Sequence, residues 1–170
     1  TAGLHNIQVT ATDTTGLTAT TSFALRVNTA PAAPSIAINP ESAFTIDALN
    51  VIVTEVADAD GDSISYSYEW FENGVATSYT STTIPSSETA SGETWKVRVT
   101  PNDGYTDGDY AEASVTISNT DPVVNGTTIS GGIYNTDILT CIATGSDVDE
   151  NLTVEYTWTI DSLEVGIGST

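Results

Sequence analysis

The chain has almost no positive charge. Of its 170 residues only Arg26, Lys96 and Arg98 are basic, against 23 Asp and Glu, for a formal net charge of −20. So few cations cannot neutralise a row of phosphates, which excludes nucleic-acid binding. An anionic membrane surface repels such a chain. No run approaches the roughly 18 apolar residues of a bilayer-spanning helix. With one His (His5) and one Cys (Cys141), the chain cannot build a zinc site or a Cys–His catalytic pair from its own residues. Met is absent, residue 1 is Thr and strand-like alternation begins at once. The segment is therefore expected to carry no signal peptide and to be an internal window of a longer chain.

Thr and Ser are abundant: 30 Thr and 17 Ser make up over a quarter of the chain. Thr favours strands because its branched Cβ packs on a pleated surface. Hydrophobic residues are 39%, enough for small cores and too many for a disordered acidic tail.

The chain repeats itself. Asn28-Thr29-Ala30-Pro31 recurs as Asn119-Thr120-Asp121-Pro122, 91 residues on. Asp47–Val51 matches Asp137–Cys141, Asp58–Asp62 matches Asp147–Asn151, and Tyr68-Glu69-Trp70 matches Tyr156-Thr157-Trp158. The reading is three pieces: 1–28, the closing hairpin of one sandwich; 29–118, a complete module; and 119–170, the first part of a second. Within the module the apolar period is two. Ile64, Tyr66, Tyr68 and Trp70 share a face, as do Trp95, Val97 and Val99, and Ala113, Val115 and Ile117. Asn73-Gly74 predicts a tight hairpin, Asn102-Asp103-Gly104 with Gly108 another, and Asp13–Gly16 a third. No stretch carries a 3.6 period. The fold expected is all-β, tandem β-sandwiches.

These phrases, Asn28–Pro31, Asp58–Ser63, Tyr68–Trp70, Asn73-Gly74 and Gly92–Gly104, resemble the tandem immunoglobulin-like repeats of large prokaryotic surface proteins. The resemblance covers about 28–118 and again 119–160. Residues 3–28 resemble the closing hairpin of a cadherin-like domain of the dystroglycan type. The likeness implies a core in which Val51 and Val97 replace the usual inter-sheet disulfide, Trp70 packs on that pair, and Trp95 replaces a corner tyrosine. In the next repeat it places Cys141 at the Val51 position and Trp158 at the Trp70 position. Cys141 is then a buried small hydrophobe, half of a disulfide whose partner lies outside this window, or a functional thiol.

The acids cluster in loops. Asp58, Asp60 and Asp62 share one; Asp147, Asp149 and Glu150 share its repeat; Asp103, Asp107 and Asp109 crowd a hairpin; Asp13 ends a strand. Calcium takes six to eight hard oxygens from flexible loops, so Asp58, Asp60, Asp62, Asp13, Asp103, Asp147 and Asp149 are candidate Ca²⁺ ligands. Resemblance to cadherins implies inter-domain sites, with Asp13 and Asp58/Asp60 in the ligand positions. The linker Asn28–Pro31 departs from that pattern because it lacks acidic residues. The competing readings are acids that simply form turns and paired carboxylates for glycoside hydrolysis. A repeated active site in a tandem array disfavours catalysis. A sugar-stacking platform needs exposed aromatics, and the alternation turns Tyr66, Tyr68 and Trp70 inward; Tyr79, Tyr105 and Tyr110 are the better surface candidates. Asn125-Gly126-Thr127 and Asn151-Leu152-Thr153 are glycosylation sequons.

The function expected is a non-enzymatic structural or adhesive segment of a secreted or cell-surface stalk, sheath or filament, stiffened by calcium. Its partners are neighbouring repeats of the same chain, with self-association into fibres. The alternatives are a carbohydrate-binding or spacer module of a secreted hydrolase, and a filament subunit assembling by strand complementation.

Overall fold

The computed structural model describes residues 3–131, 136–160 and 163–169. The first piece is a single hairpin, β1 (Gly3–Thr12) and β2 (Thr18–Val27), paired without a break from Gly3↔Val27 to Thr12↔Thr18. Asp13 makes its turn: Oδ1 accepts the N–H groups of Thr15 (2.8 Å) and Leu17 (2.9 Å) and the Thr15 hydroxyl (2.7 Å).

The complete module is a two-sheet sandwich. Its strands are β3 (Ser35–Asn39), β4 (Ala43–Phe44), β5 (Leu49–Thr54), β6 (Ser65–Glu72), β7 (Val75–Ala76), β8 (Thr83–Ile84), β9 (Thr94–Asn102) and β10 (Ala111–Ser118). One sheet has the order β3-β5-β8 and the other β4-β10-β9-β6-β7. The only helical element among the described residues is a 3₁₀ turn, Ser86–Glu88. The predicted alternation sets the two faces. Trp95, Val97, Val99, Val115 and Ile117 from one sheet meet Ile38, Leu49 and Ile84 from the other, with Trp70 across the middle. Trp70 and Trp95 stack edge to face, ring centroids 6.2 Å apart. Each buried indole N–H is satisfied, Trp70 by the Ser81 carbonyl and Trp95 by Glu93 (both 2.9 Å), which lets two polar tips sit in an apolar core. The Asn73-Gly74 hairpin forms with both residues at positive φ, 49° and 83°, as a two-residue turn between twisted strands requires.

One core position differs in depth from the expectation. Val51 lies on the inner face of β5 but is only half-buried, whereas Leu49 on the same face is fully buried opposite Ile84. Alternation fixes the face of a strand and leaves the depth to the neighbouring strand.

The third piece comprises β11 (Val123–Ser130), β12 (Thr140–Ser146), β13 (Glu155–Ile160) and β14 (Leu163–Ser169). It copies the module's register. Ile129 faces Cys141 as Ile38 faces Val51, and Thr159 faces Glu164 as Phe71 faces Ala76. Cys141 is a free, half-buried thiol and Trp158 is half-buried.

Candidate functional site

The acidic loop between β5 and β6 holds the linker that enters the module. Asp58 shapes the loop from within: its Oδ1 accepts the N–H groups of Asp60 (2.7 Å) and Asp62 (3.2 Å), and Gly61 takes the positive φ (80°) that this tight path demands. Asp60 and Asp62 are thereby turned outward to the chain coming from β2. Asp60 Oδ2 accepts the backbone N–H of Thr29 at 2.7 Å. Asp62 pairs with Arg26 at 2.6 Å, and the Arg26 guanidinium lies 4.0 Å from the centre of the Tyr105 ring.

The β9–β10 hairpin supplies the other wall. Asp103 is buried, 3% exposed, and both its oxygens are engaged: Oδ1 by the N–H groups of Tyr105 and Thr106, Oδ2 by the Asn28 side-chain amide at 2.8 Å. The Thr106 amide, then Asn28 and Tyr105, hold its carboxyl below the usual carboxylate range against the opposing cost of burial. Pro31 and Pro34 of the linker are buried. The Pro31 carbonyl lies so close to Gly108 that a Cβ there would sit 2.1 Å from it.

Five buried polar atoms in this joint have no hydrogen-bond partner: Arg26 Nε, Asn28 Oδ1, Asp58 Oδ2, Asp60 Oδ1 and Asp62 Oδ2. Four are oxygens. Asp58, Asp60 and Asp62 each offer an oxygen within 4.8 Å of the others. Oxygens that share one Ca²⁺ at about 2.3–2.6 Å cannot be much farther apart than that. The donor set is hard, acidic and under-satisfied, and it fits such an ion.

The joint recurs at the next linker. Asp147 Oδ1 accepts the N–H groups of Asp149 (2.7 Å) and Glu150 (3.2 Å), and Asp149 Oδ2 accepts the backbone N–H of Thr120 at 2.6 Å. The loop and the linker phrase thus recur together because one binds the other. The Asp62 position is Asn151 here.

Of the candidate ligands, then, Asp58, Asp60 and Asp62 converge, and Asp147 and Asp149 repeat the arrangement one module later. Asp13 does not join them; it is spent on its own turn. Asp103 serves the joint as a hydrogen-bond acceptor for Asn28. Arg26, Asn28, Thr29, Tyr105 and Gly108 belong to the site too; from the sequence they read as a cation, a recurring linker phrase, a surface aromatic and a turn glycine, unconnected with the acidic loop. The signal available was the paired recurrence of linker and loop.

Of the aromatic candidates, Tyr105 (63%) and Tyr110 (55%) are exposed, as read from the sequence, and each carries a cation on its ring. Tyr66 and Tyr68 pack against the core. Tyr79 bonds Glu88 (2.5 Å) and leans on Trp95, Tyr105 carries Arg26, and Tyr110 carries Arg98 at 4.5 Å. Among the described residues no helix is long and apolar enough to cross a membrane. No family model matches the chain, and no curated protein matches it.

Proposed function

We propose that the chain is a non-enzymatic segment of an extracellular stalk, sheath or filament of immunoglobulin-like repeats, and that the acidic loop is the joint that fixes each repeat on the one before it. The observation that carries this reading is the recurrence of one hydrogen bond: Thr29 N–H to Asp60 and Thr120 N–H to Asp149. A loop that grips the preceding linker, twice in 170 residues, is what a chain needs to transmit direction from module to module. Buried Pro31 and Pro34 support it, because a fixed φ limits bending of the linker.

At the first joint the reading includes a Ca²⁺ ion held by Asp58, Asp60 and Asp62. Of these three carboxylates only Asp62 is paired with a cation, Arg26, and each of the three keeps one buried oxygen without a partner, which supports a cation among them. The ion would supply charge neutralisation and rigidity. Calorimetric melting in Ca²⁺, in Mg²⁺ and in chelator tests the ion: binding to the native state raises the midpoint, and an unchanged midpoint at millimolar Ca²⁺ removes it. Small-angle scattering of the chain carrying Asp60→Ala and Asp149→Ala tests the joint itself. A rigid, extended particle should become a broad distribution of shapes, and an unaltered scattering profile would refute the joint whether or not calcium binds.

A further inference from the structure

The complete module carries a groove that the joint does not use. On one side is the outer face of β6 and β9, where Ser67 stands opposite Thr100 and Glu69 opposite Arg98. On the other is Thr77–Thr80, the stretch that leaves β7. That stretch is tied to β6, because the Thr77 N–H and hydroxyl both donate to the Trp70 carbonyl (2.8 and 2.9 Å). Tyr68 and Tyr79 also line the groove. Its volume is about 390 Å³, within the range of small-ligand sites. All of the lining falls within residues 67–100, inside the complete module.

The groove is rich in hydroxyls and carries no net charge. The Tyr68, Ser78, Thr80 and Thr100 hydroxyls make no hydrogen bond within the described residues, and each can both donate and accept. Tyr68 packs against the core, so its ring is held in place. Burial, then the neighbouring Tyr66, pushes its pKa up and keeps it a neutral donor. A half-buried hydroxyl with no protein partner is under-satisfied. At the rim Glu69 and Arg98 pair at 3.3 Å, which cancels their charges and sets an acceptor beside a donor. Arg98 is steadied by Glu112 at 3.0 Å and by the Tyr110 ring. The repeat itself does not require this pair, since Glu69 becomes Thr157 one module on.

These features narrow the ligand. An anion would meet Glu69 and the field of a chain with net charge −20. A cation would meet Arg98 and find bare carboxylates elsewhere. An apolar ligand would strand the hydroxyls away from water. A neutral molecule dense in hydroxyls of its own satisfies them. We propose that this groove binds a neutral oligosaccharide, with Tyr68, Ser78, Thr80 and Thr100 meeting its hydroxyls and the Glu69–Arg98 pair gripping two adjacent ones. This goes beyond the joint: the joint sets the direction of the segment, and the groove gives it a lateral contact with a glycan.

The test is the amide spectrum of the 170-residue chain during titration with maltotetraose, cellotetraose, mannotetraose and chitotetraose, and with the anionic tetragalacturonate. At least one neutral probe should shift the amides of Ser67–Glu69 and Thr77–Thr80 saturably at millimolar concentration. Tyr68→Phe keeps the ring and removes only the hydroxyl, so it should weaken that binding about fivefold while the chain stays folded. Glu69→Ala should weaken it as well. Phe44→Ser is the control: Phe44 is 42% exposed on β4, at the opposite edge of the same sheet, and its loss should leave binding unchanged. Silence from all four neutral probes, binding of tetragalacturonate alone, shifts centred outside the groove, or equal loss in Tyr68→Phe and Phe44→Ser would each overturn the proposal.

Discussion

Thr29 donates its backbone N–H to Asp60 Oδ2 at 2.7 Å, and through that bond the linker is tied to the module it enters. The donor is a main-chain group and the acceptor a carboxylate, so the contact is charge-assisted and indifferent to the linker's side chains. Around it, Arg26 on Asp62 and Asn28 on Asp103 tie down the preceding and adjacent residues. Three successive handholds on a stretch of four residues leave the linker little freedom.

Asp60→Ala should free the Thr29 amide without unfolding the module. The bond is solvent-exposed, so water replaces the lost acceptor and the global cost stays at or below about 1 kcal/mol. Amide hydrogen exchange reads the local effect. Exchange at Thr29 should accelerate by about tenfold or more, while the core strand amides of Val97 and Val99 keep their protection. Asp149→Ala should do the same at Thr120. Unchanged exchange at Thr29 would mean that the bond does not hold in solution.

Gly108→Ala should prise the linker from the β9–β10 hairpin. Its Cβ would lie 2.1 Å from the Pro31 carbonyl oxygen, a backbone atom that cannot swing aside. The expected loss is ~1–3 kcal/mol, the range for overpacking a close contact. Gly104→Ala is the useful contrast. It has open space around the added methyl but a φ of +87°, so it strains its own turn and leaves Pro31 in place. Chemical shifts of the residues around Pro31 should move in the first variant and hold in the second.

The sandwich was legible because burial writes a period of two along a strand, and Trp70, Trp95 and Val97 fell on the inner face as read. Asn73-Gly74 was legible because few residues accept positive φ. The joint was legible only in half. Its acids stood out, but their partner is a backbone N–H, and every residue except proline carries one, so beyond the recurrence of its linker phrase nothing marks Thr29 as the donor. Gly108 was read as a turn former, yet what requires glycine there is the approach of a distant carbonyl, which local pattern does not encode. Asp13 and Asp103 share a sequence position in their hairpins, and only the structure separates their roles, one closing its own turn and the other accepting from Asn28.

The pH dependence of stability should carry an acid limb from Asp103. Its pKa is lower in the folded chain than in the unfolded one, chiefly through the Thr106 amide, so folding favours the carboxylate. The contribution is therefore complete above the ordinary carboxylate range and is lost as pH falls through the folded value. Glu112, lowered by Lys96 and then Arg98, adds a limb of the same sign. Denaturant midpoints measured from pH 7 downward should fall steadily. Asp103→Asn should be less stable at pH 7 and show a shallower decline, so the two curves converge in acid. Parallel curves would remove Asp103 from the account.

Arg26 already places one positive charge against Asp62, which makes it a competitor for any cation in the same loop. Arg26→Gln removes that charge and frees the Asp62 oxygen while leaving the Asp58 and Asp60 geometry untouched. A unit charge a few ångströms from a divalent ion is worth on the order of 1–2 kcal/mol in partly solvated surroundings, so Ca²⁺ affinity should rise roughly tenfold. The same substitution discards the ion pair and the stacking on Tyr105, so in chelator the variant should melt below the parent chain. The two effects have opposite signs, and isothermal titration together with melting in Ca²⁺ and in chelator separates them. A fall in Ca²⁺ affinity on removing Arg26 would show that the guanidinium organises the acids for the ion rather than standing in for it.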